Sequence, residues 1–352
     1  MAISIKITKT PQSRIGDCDF NNIQFGTIFS DHMFMVDYED GEWKNAQILP
    51  YGPLSLSPST FALHYGQAIF EGMKAFKNAQ GEAQLFRPHD NWERLNHSAR
   101  RMGMAEISEE LFMGGLKALV DLDRDWIPTK QGSSLYLRPY MFATDEFVGV
   151  RPAKHFKLII FSCPVNAYYP KPIRVVVEEK YVRAFDGGAG NAKAAGNYGI
   201  SMLPTAEANK KGFDQIIWTD GVSHKYIEES GTMNVFFAMG KKVITPALDG
   251  TILAGITRDS CIKLLQEKGY EVEERKISID EIVEAHQNGL LTDAFGSGTA
   301  AIIAKIAAFN YKGVEYTLPN PEEREVSNWL YSTLYSIQTG ATPTSFNWID
   351  KV

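Results

Sequence analysis

Lys193 lies in the run Gly187-Gly188-Ala189-Gly190-Asn191-Ala192-Lys193-Ala194-Ala195-Gly196-Asn197-Tyr198. Small neighbours on both sides leave room for a planar adduct against the backbone. Lysine amines form Schiff bases with carbonyl compounds, pyridoxal phosphate (PLP) among them, once burial or a nearby cation lowers their pKa. The competing reading is a flexible Gly/Ala loop bearing a solvated lysine. Two further segments suit a phosphorylated ligand. Gly255-Ile256-Thr257 precedes a helical pattern, where backbone N–H groups and the positive end of the dipole favour an anion, although Thr257 could equally be only an N-cap. Phe295-Gly296-Ser297-Gly298-Thr299-Ala300 places two glycines and two hydroxyls before an apolar run over 301–306, expected to be helical. Finally, Glu228-Glu229-Ser230-Gly231 sets a carboxylate beside a tight turn. There it would keep a pyridine nitrogen protonated, or it would be a solvated acidic turn.

The elements that must position these residues fall into two halves, as 352 residues is long for one core. In the first half, strands are expected over 28–38, 43–49, 133–142 and 156–163, with helices opening at Pro88 and spanning 109–121. Arg94 and Arg101 lie one heptad apart on the first of these helices. Residues 164–172 hold three prolines and read as a linker between a domain over 1–163 and one over 173–352. Beyond it come strands at 173–177 and 215–218, a helix over 198–211, a hairpin turning at Met239-Gly240, and a helix over 258–268 stopped by Gly269.

Composition narrows the class. A net charge of −6 gives no electrostatic footprint for nucleic acid or an anionic membrane. Three scattered cysteines imply neither a disulfide framework nor a metal cluster, and the seven histidines offer no helical i, i+4 pair, so no metal site is expected. No stretch approaches the ~18 apolar residues of a membrane span. A soluble, cytoplasmic protein is expected.

These residues also match a family. Glu229-x-Gly231-x-x-Asn234-Val235-Phe236, Val243-x-Thr245 and Leu253-x-Gly255-Ile256-x-Arg258 resemble the signature of the class IV aminotransferases, PLP enzymes of fold type IV. Within them the chain is similar to the branched-chain amino acid aminotransferases through Phe70-Glu71-Gly72-Met73-Lys74-Ala75, Leu85-Phe86-Arg87-Pro88, Tyr136-Leu137-Arg138-Pro139, the Phe295–Ala300 motif above and Tyr316-Thr317-Leu318-Pro319. The Cys-x-x-Cys pair that some animal members carry is replaced by Ala301 and Ala304. Relatives acting on D-amino acids or aminodeoxychorismate share the lysine and glutamate and are the main enzymatic alternative.

The resemblance implies a two-domain α/β (α+β) fold, with a smaller N-terminal α/β domain and a larger C-terminal domain of mixed, barrel-like sheet. It also implies a homodimer. Lys193 would bind PLP covalently and shuttle a proton between the substrate Cα and the cofactor C4′. Glu229 would contact the pyridine nitrogen and Tyr198 the phenolic oxygen. Arg94, Ile256 (through its N–H), Thr257 and Thr299 would hold the phosphate. The substrate α-carboxylate would meet Thr232 and the N–H of Ala300. Phe29, Phe70, Tyr136, Tyr168 and Val150 of a second subunit would wall the side-chain pocket. Tyr65, Arg138 and Tyr168 would receive the γ-carboxylate of glutamate, although on residue type alone Arg138 is equally a surface arginine.

Overall fold

The computed structural model describes residues 4–169 and 171–352. In chain order the first elements are β1 (Lys6–Ile7), β2 (His32–Glu39), β3 (Glu42–Pro50), α1 (Phe61–Tyr65), β4 (Ala68–Phe70), β5 (Met73–Lys77) and β6 (Ala83–Phe86). Then come α2 (Pro88–Arg101), α3 (Glu109–Leu122), β7 (Ser134–Ala143), β8 (Phe156–Val165), β9 (Ile173–Val177), α4 (Ala195–Gly199), α5 (Met202–Lys210) and β10 (Gln215–Thr219). β11 (Ile227–Ser230), β12 (Met233–Met239), β13 (Lys242–Thr245), α6 (Ile256–Glu267), β14 (Glu271–Glu274) and α7 (Ile279–Gln287) follow. The chain ends with β15 (Asp293–Gly298), β16 (Ile302–Tyr311), β17 (Val314–Thr317), α8 (Glu325–Gln338) and β18 (Ile349–Lys351).

Two compact units emerge. The first comprises Met1–Tyr168, Ala192–Gly196 and Ser336–Val352. Its nine-stranded sheet runs β1-β3-β2-β8-β7-β5-β6-β18, with β4 against β7. Helix α3 is amphipathic because Leu111, Phe112, Leu116 and Leu119 recur at helical spacing, and all four are buried in the core with Phe34 and Ile48. Gly115 permits this packing: a Cβ there would stand 2.5 Å from the Phe34 ring. Ser108 caps the helix, accepting the N–H of Leu111 at 3.3 Å. Helix α2 opens at Pro88, as expected, and buries Leu95 and Ala99.

The second unit, Tyr169–Asn191 and Asn197–Tyr335, is built on a closed ring of six strands, β9-β10-β11-β12-β15-β16. Closure removes the unpaired edges that an open sheet would expose. Alternation along β12 sends Val235 and Phe237 into the barrel core and stacks Phe236 on Phe295, centroids 5.1 Å apart. Strands β13 and β14 extend the sheet beyond β12, and β17 pairs with β16. The expected hairpin turns at Gly240, φ +64.

Four sequence expectations need correction. Residues 301–306 are not helical: β16 begins at Ile302 and pairs with β15, because Ile302, Ile303 and Ile306 find sheet partners that a short apolar run does not reveal. The helix expected over 198–211 is two, α4 and α5. Pro204 lies in the first turn of α5, where its missing N–H costs nothing but where an unbroken helix would need it. The linker expected over 164–172 starts later, since β8 runs to Val165 and the units divide between Tyr168 and Tyr169; Pro170 lies outside the described residues. The C-terminal residues 336–352 join the first unit, where β18 pairs with β6, so that unit is not the smaller.

Candidate active site

In the first unit the backbone at Lys193 is held on both sides. Its N–H donates to Ser98 Oγ at 2.9 Å, and its carbonyl accepts the N–H of Phe70 at 3.0 Å. A single antiparallel bridge joins Ala194 to Ile69. The Lys193 amine stands 4.9 Å from the Phe70 ring centroid. Ala192 and Ala194 are buried, so their small size is required by packing as well as by any adduct. This is not a solvated loop.

Arg94, on α2, is nearly buried and makes two parallel bonds of 2.8 Å, Nε to Glu71 Oε1 and Nη2 to Glu71 Oε2. Arg101, a heptad later, sits exposed at the helix end. Glu71 had no role in the sequence reading; its one signal was a carboxylate inside the mostly apolar stretch 68–77. Gly72 beside it is forced, since a Cβ would lie 2.2 Å from Tyr136 Oη.

One face of β7 carries the aromatic wall. Arg138 Nη2 donates to Tyr136 Oη at 2.9 Å, and its guanidinium carbon lies 4.7 Å from the Phe70 ring and 5.3 Å from that of Tyr136. Arg138 Nε is buried with no hydrogen-bond partner among the described residues. An unspent, desolvated guanidinium donor is costly unless an anion completes it, which argues against a surface arginine. Phe25, which the sequence reading missed, sets its edge against Tyr136 and Tyr168, with centroids at 5.1 and 4.9 Å. Burial first, then Tyr136, raises the pKa of the Tyr168 phenol. Phe29 stacks on Tyr51 at 4.8 Å. Lys74, opposite Tyr136 in the sheet, is a buried amine whose pKa desolvation brings down to about 7.

Tyr65 and Val150 stand apart from this wall. Tyr65 packs on Phe61 at 4.6 Å, and among the described residues no hydrogen bond or ring contact joins it to Arg138 or Tyr136. Val150, 90% exposed, lies on the loop between β7 and β8.

The second unit holds the remaining residues of the second half. Glu229 is buried on β11 and pairs with Asn234 across the hairpin. Its Oε2 meets Arg183 Nε at 2.7 Å, and its Oε1 accepts the N–H of Leu253 at 3.0 Å. Arg183 is fixed in turn by the Thr251 carbonyl at 2.9 Å. Sequence reasoning missed Arg183, whose only signal is that it precedes the glycine-rich run. Glu228 is buried too, so neither residue belongs to a solvated turn. Strand alternation sends the two carboxylates to opposite faces. Burial, with Asp249 and Glu229 adding to it, pushes the Glu228 pKa up to about 7, and its Oε2 has no hydrogen-bond partner among the described residues.

Gly255 is the N-cap of α6 and provides no side-chain cap, while Thr257 is buried as the second helical residue and is therefore not the cap. A Cβ on Gly255 would fall 1.9 Å from Asn234 Oδ1. Asn234 also donates to the Leu253 carbonyl at 2.9 Å, so the approach to α6 is tied to the strand partner of Glu229. On the other side of β12, Asn234 pairs with Ser297 of β15. Thr299 and Ala300 thus lie in the turn between β15 and β16, not at a helix N-terminus, and the expected helix dipole is absent there. Gly231, φ +58, makes the turn before Thr232, which is exposed. Tyr198 is half-buried in α4.

A backbone-clamped lysine, an arginine-anchored carboxylate and a glycine-capped helix define a class, and the family model for class IV amino-transferases matches residues 68–300. The chain belongs to the class IV aminotransferase family. It is 48% identical over 335 residues to a "probable branched-chain-amino-acid aminotransferase" of Staphylococcus epidermidis, covering 94% of this chain and 93% of that one. It is also 45% identical to "branched-chain-amino-acid aminotransferase 2" of Bacillus subtilis, over 99% of this chain and 97% of the relative. Among solved structures, the branched-chain amino acid aminotransferase of Escherichia coli superposes with a TM-score of 0.75 at 26% identity, over 91% of this chain and 98% of that chain.

Proposed function

We propose that this chain is a PLP-dependent transaminase. It moves the amino group between leucine, isoleucine or valine and 2-oxoglutarate, giving branched-chain 2-oxo acids and L-glutamate. The observation that carries this reading is Arg138 in its aromatic setting, with Nε unspent beside Phe70 and Tyr136. Such a wall accepts an apolar side chain and still offers one fork to a γ-carboxylate. Relatives named for branched-chain substrates over nearly the whole chain support it.

The residues fit PLP. The Lys193 amine can bind its aldehyde, Glu229 carries an anion held by Arg183, and the Gly255 cradle, which a Cβ would fill, opens a helix without a side-chain cap. Bound PLP supplies the carbonyl and the electron-withdrawing ring that transamination needs. Lys193 would hold the cofactor and then move the proton at the substrate Cα. Glu229 would keep the pyridine N–H protonated, and Tyr198 would meet the phenolic oxygen. Arg94, the N–H of Ile256 and the hydroxyls of Thr257 and Thr299 would hold the phosphate. Thr232 and the N–H of Ala300 would receive the α-carboxylate. Phe29, Phe70, Tyr136 and Tyr168 would enclose the side chain.

Tyr65 and Tyr168 would join Arg138 at the γ-carboxylate of glutamate, and on this reading the protein is a homodimer in which Val150 completes the pocket of a second copy. Exposure of Val150, Val148 and Leu63 in the monomer supports it. No helix among the described residues is long and apolar enough to cross a membrane, and we place the enzyme in the cytoplasm.

A half-reaction panel tests the function. L-leucine, L-isoleucine, L-valine and L-glutamate should each bleach the cofactor absorbance, and D-amino acids should not. Bleaching by D-alanine alone would select the D-amino acid alternative.

A further inference from the structure

We propose that Glu71 is a positioning residue for the cofactor phosphate, acting through Arg94. The proposal rests on the assignment of Arg94 to that phosphate. Glu71 is fully buried, and its two oxygens receive two donors of one guanidinium at 2.8 Å each. Fork-to-fork pairing fixes both the place and the plane of a guanidinium.

Glu71 is itself anchored. Its N–H donates to the Pro139 carbonyl at 2.7 Å, and the Gly72 N–H donates to its Oε2 at 3.2 Å. The preceding residue, Phe70, donates to the carbonyl of Lys193, and Ser98, one turn beyond Arg94 on α2, accepts the N–H of Lys193. A short closed path, Arg94–Glu71–Phe70–Lys193–Ser98, thus returns to the helix it left. It registers the guanidinium against the residue that holds the other end of the same cofactor.

A merely structural ion pair is the competing account. Burying two charges is a poor route to stability, because desolvation offsets their attraction. The two accounts also differ in sign. Without Glu71, Coulomb attraction alone would let a less neutralised Arg94 bind phosphate more strongly, whereas a loss of orientation weakens that contact.

The test uses holoenzyme dialysed to equilibrium against mixtures of PLP and pyridoxal, which keeps the ring and aldehyde but lacks phosphate. The bound ratio is read after denaturation. Glu71→Gln should lower the preference for PLP by about tenfold or more, the scale of a charged hydrogen bond. Glu71→Asp, which keeps the charge but shortens the reach, should fall between Glu71→Gln and wild type, and carries the measurement if Glu71→Gln does not fold. Arg94→Gln must also lower the ratio. If it does not, the phosphate assignment of Arg94 fails and the proposal fails with it. If Arg94→Gln lowers the ratio while the Glu71 variants leave it unchanged or raise it, the proposal alone is overturned.

Discussion

Glu229 and Arg183 form a buried ion pair at 2.7 Å, each partner held by backbone groups of the 251–253 segment. The pair holds a carboxylate that is out of water. Removing one partner strands the other. Arg183→Met should therefore destabilise the protein by about 3–5 kcal/mol, the usual cost of an uncompensated buried charge. Arg183→Met combined with Glu229→Leu should recover much of that loss. Urea midpoints of the two variants check it, and equal losses would show that the pair is not the cause.

Lys193→Ala should abolish turnover, by about 100-fold at the least, because no other amine is proposed to move the Cα proton. The fold should survive, since the Ser98 and Phe70 contacts use only the backbone of residue 193. Near-wild-type rates without added amines would remove Lys193 from the mechanism.

The two adjacent glutamates should separate cleanly. Glu229→Gln should bind PLP yet transaminate poorly, since a neutral amide does not favour the protonated pyridine. Glu228→Gln should leave turnover largely intact.

Glu228 should instead appear in the pH dependence of stability. Burial raises its folded pKa to about 7, above its ordinary value of 4.5, so the folded state binds the proton more tightly than the unfolded one. Its contribution is full below about pH 4.5 and is lost as pH rises through about 7. Glu228→Gln should flatten the fall in melting temperature across that window. An unchanged slope would mean that other groups set it.

Arg138→Met should weaken the glutamate half-reaction by roughly 1.5–3 kcal/mol, the scale of a charged hydrogen bond, and the leucine half-reaction far less. Single-turnover bleaching with each amino acid decides it. Equal losses would assign Arg138 to the fold and place γ-carboxylate recognition elsewhere.

Gly255→Ala should cost about 1–3 kcal/mol, as overpacking does, because its Cβ would collide with Asn234 at 1.9 Å. It should also loosen PLP, since relief of the clash shifts the start of α6. Unchanged stability and cofactor retention would show that the cradle yields at no cost.

Much of this protein was legible in its local sequence. Pro88 and the spacing of Leu95 and Ala99 mark α2, Gly240 and Gly269 mark a hairpin turn and a helix stop, and the Gly/Ala run marks Lys193. These signals reside in backbone preference and periodicity, which a short window contains. The run after Gly298 was misread because a few apolar residues suit helix or strand alike. Only pairing with β15, across a tight turn, and with β9, distant in sequence, makes 302–311 a strand. For the same reason Thr299 and Ala300 moved from a helix start to a sheet turn. Glu71 and Arg183 were invisible as partners: residue type does not say which buried charge will meet which, and only the folded chain brings Arg94 and Glu229 to them. Sequence determined which groups are present to do the chemistry. Tertiary structure decided which of them are held, by whom, and with which donors left to spend.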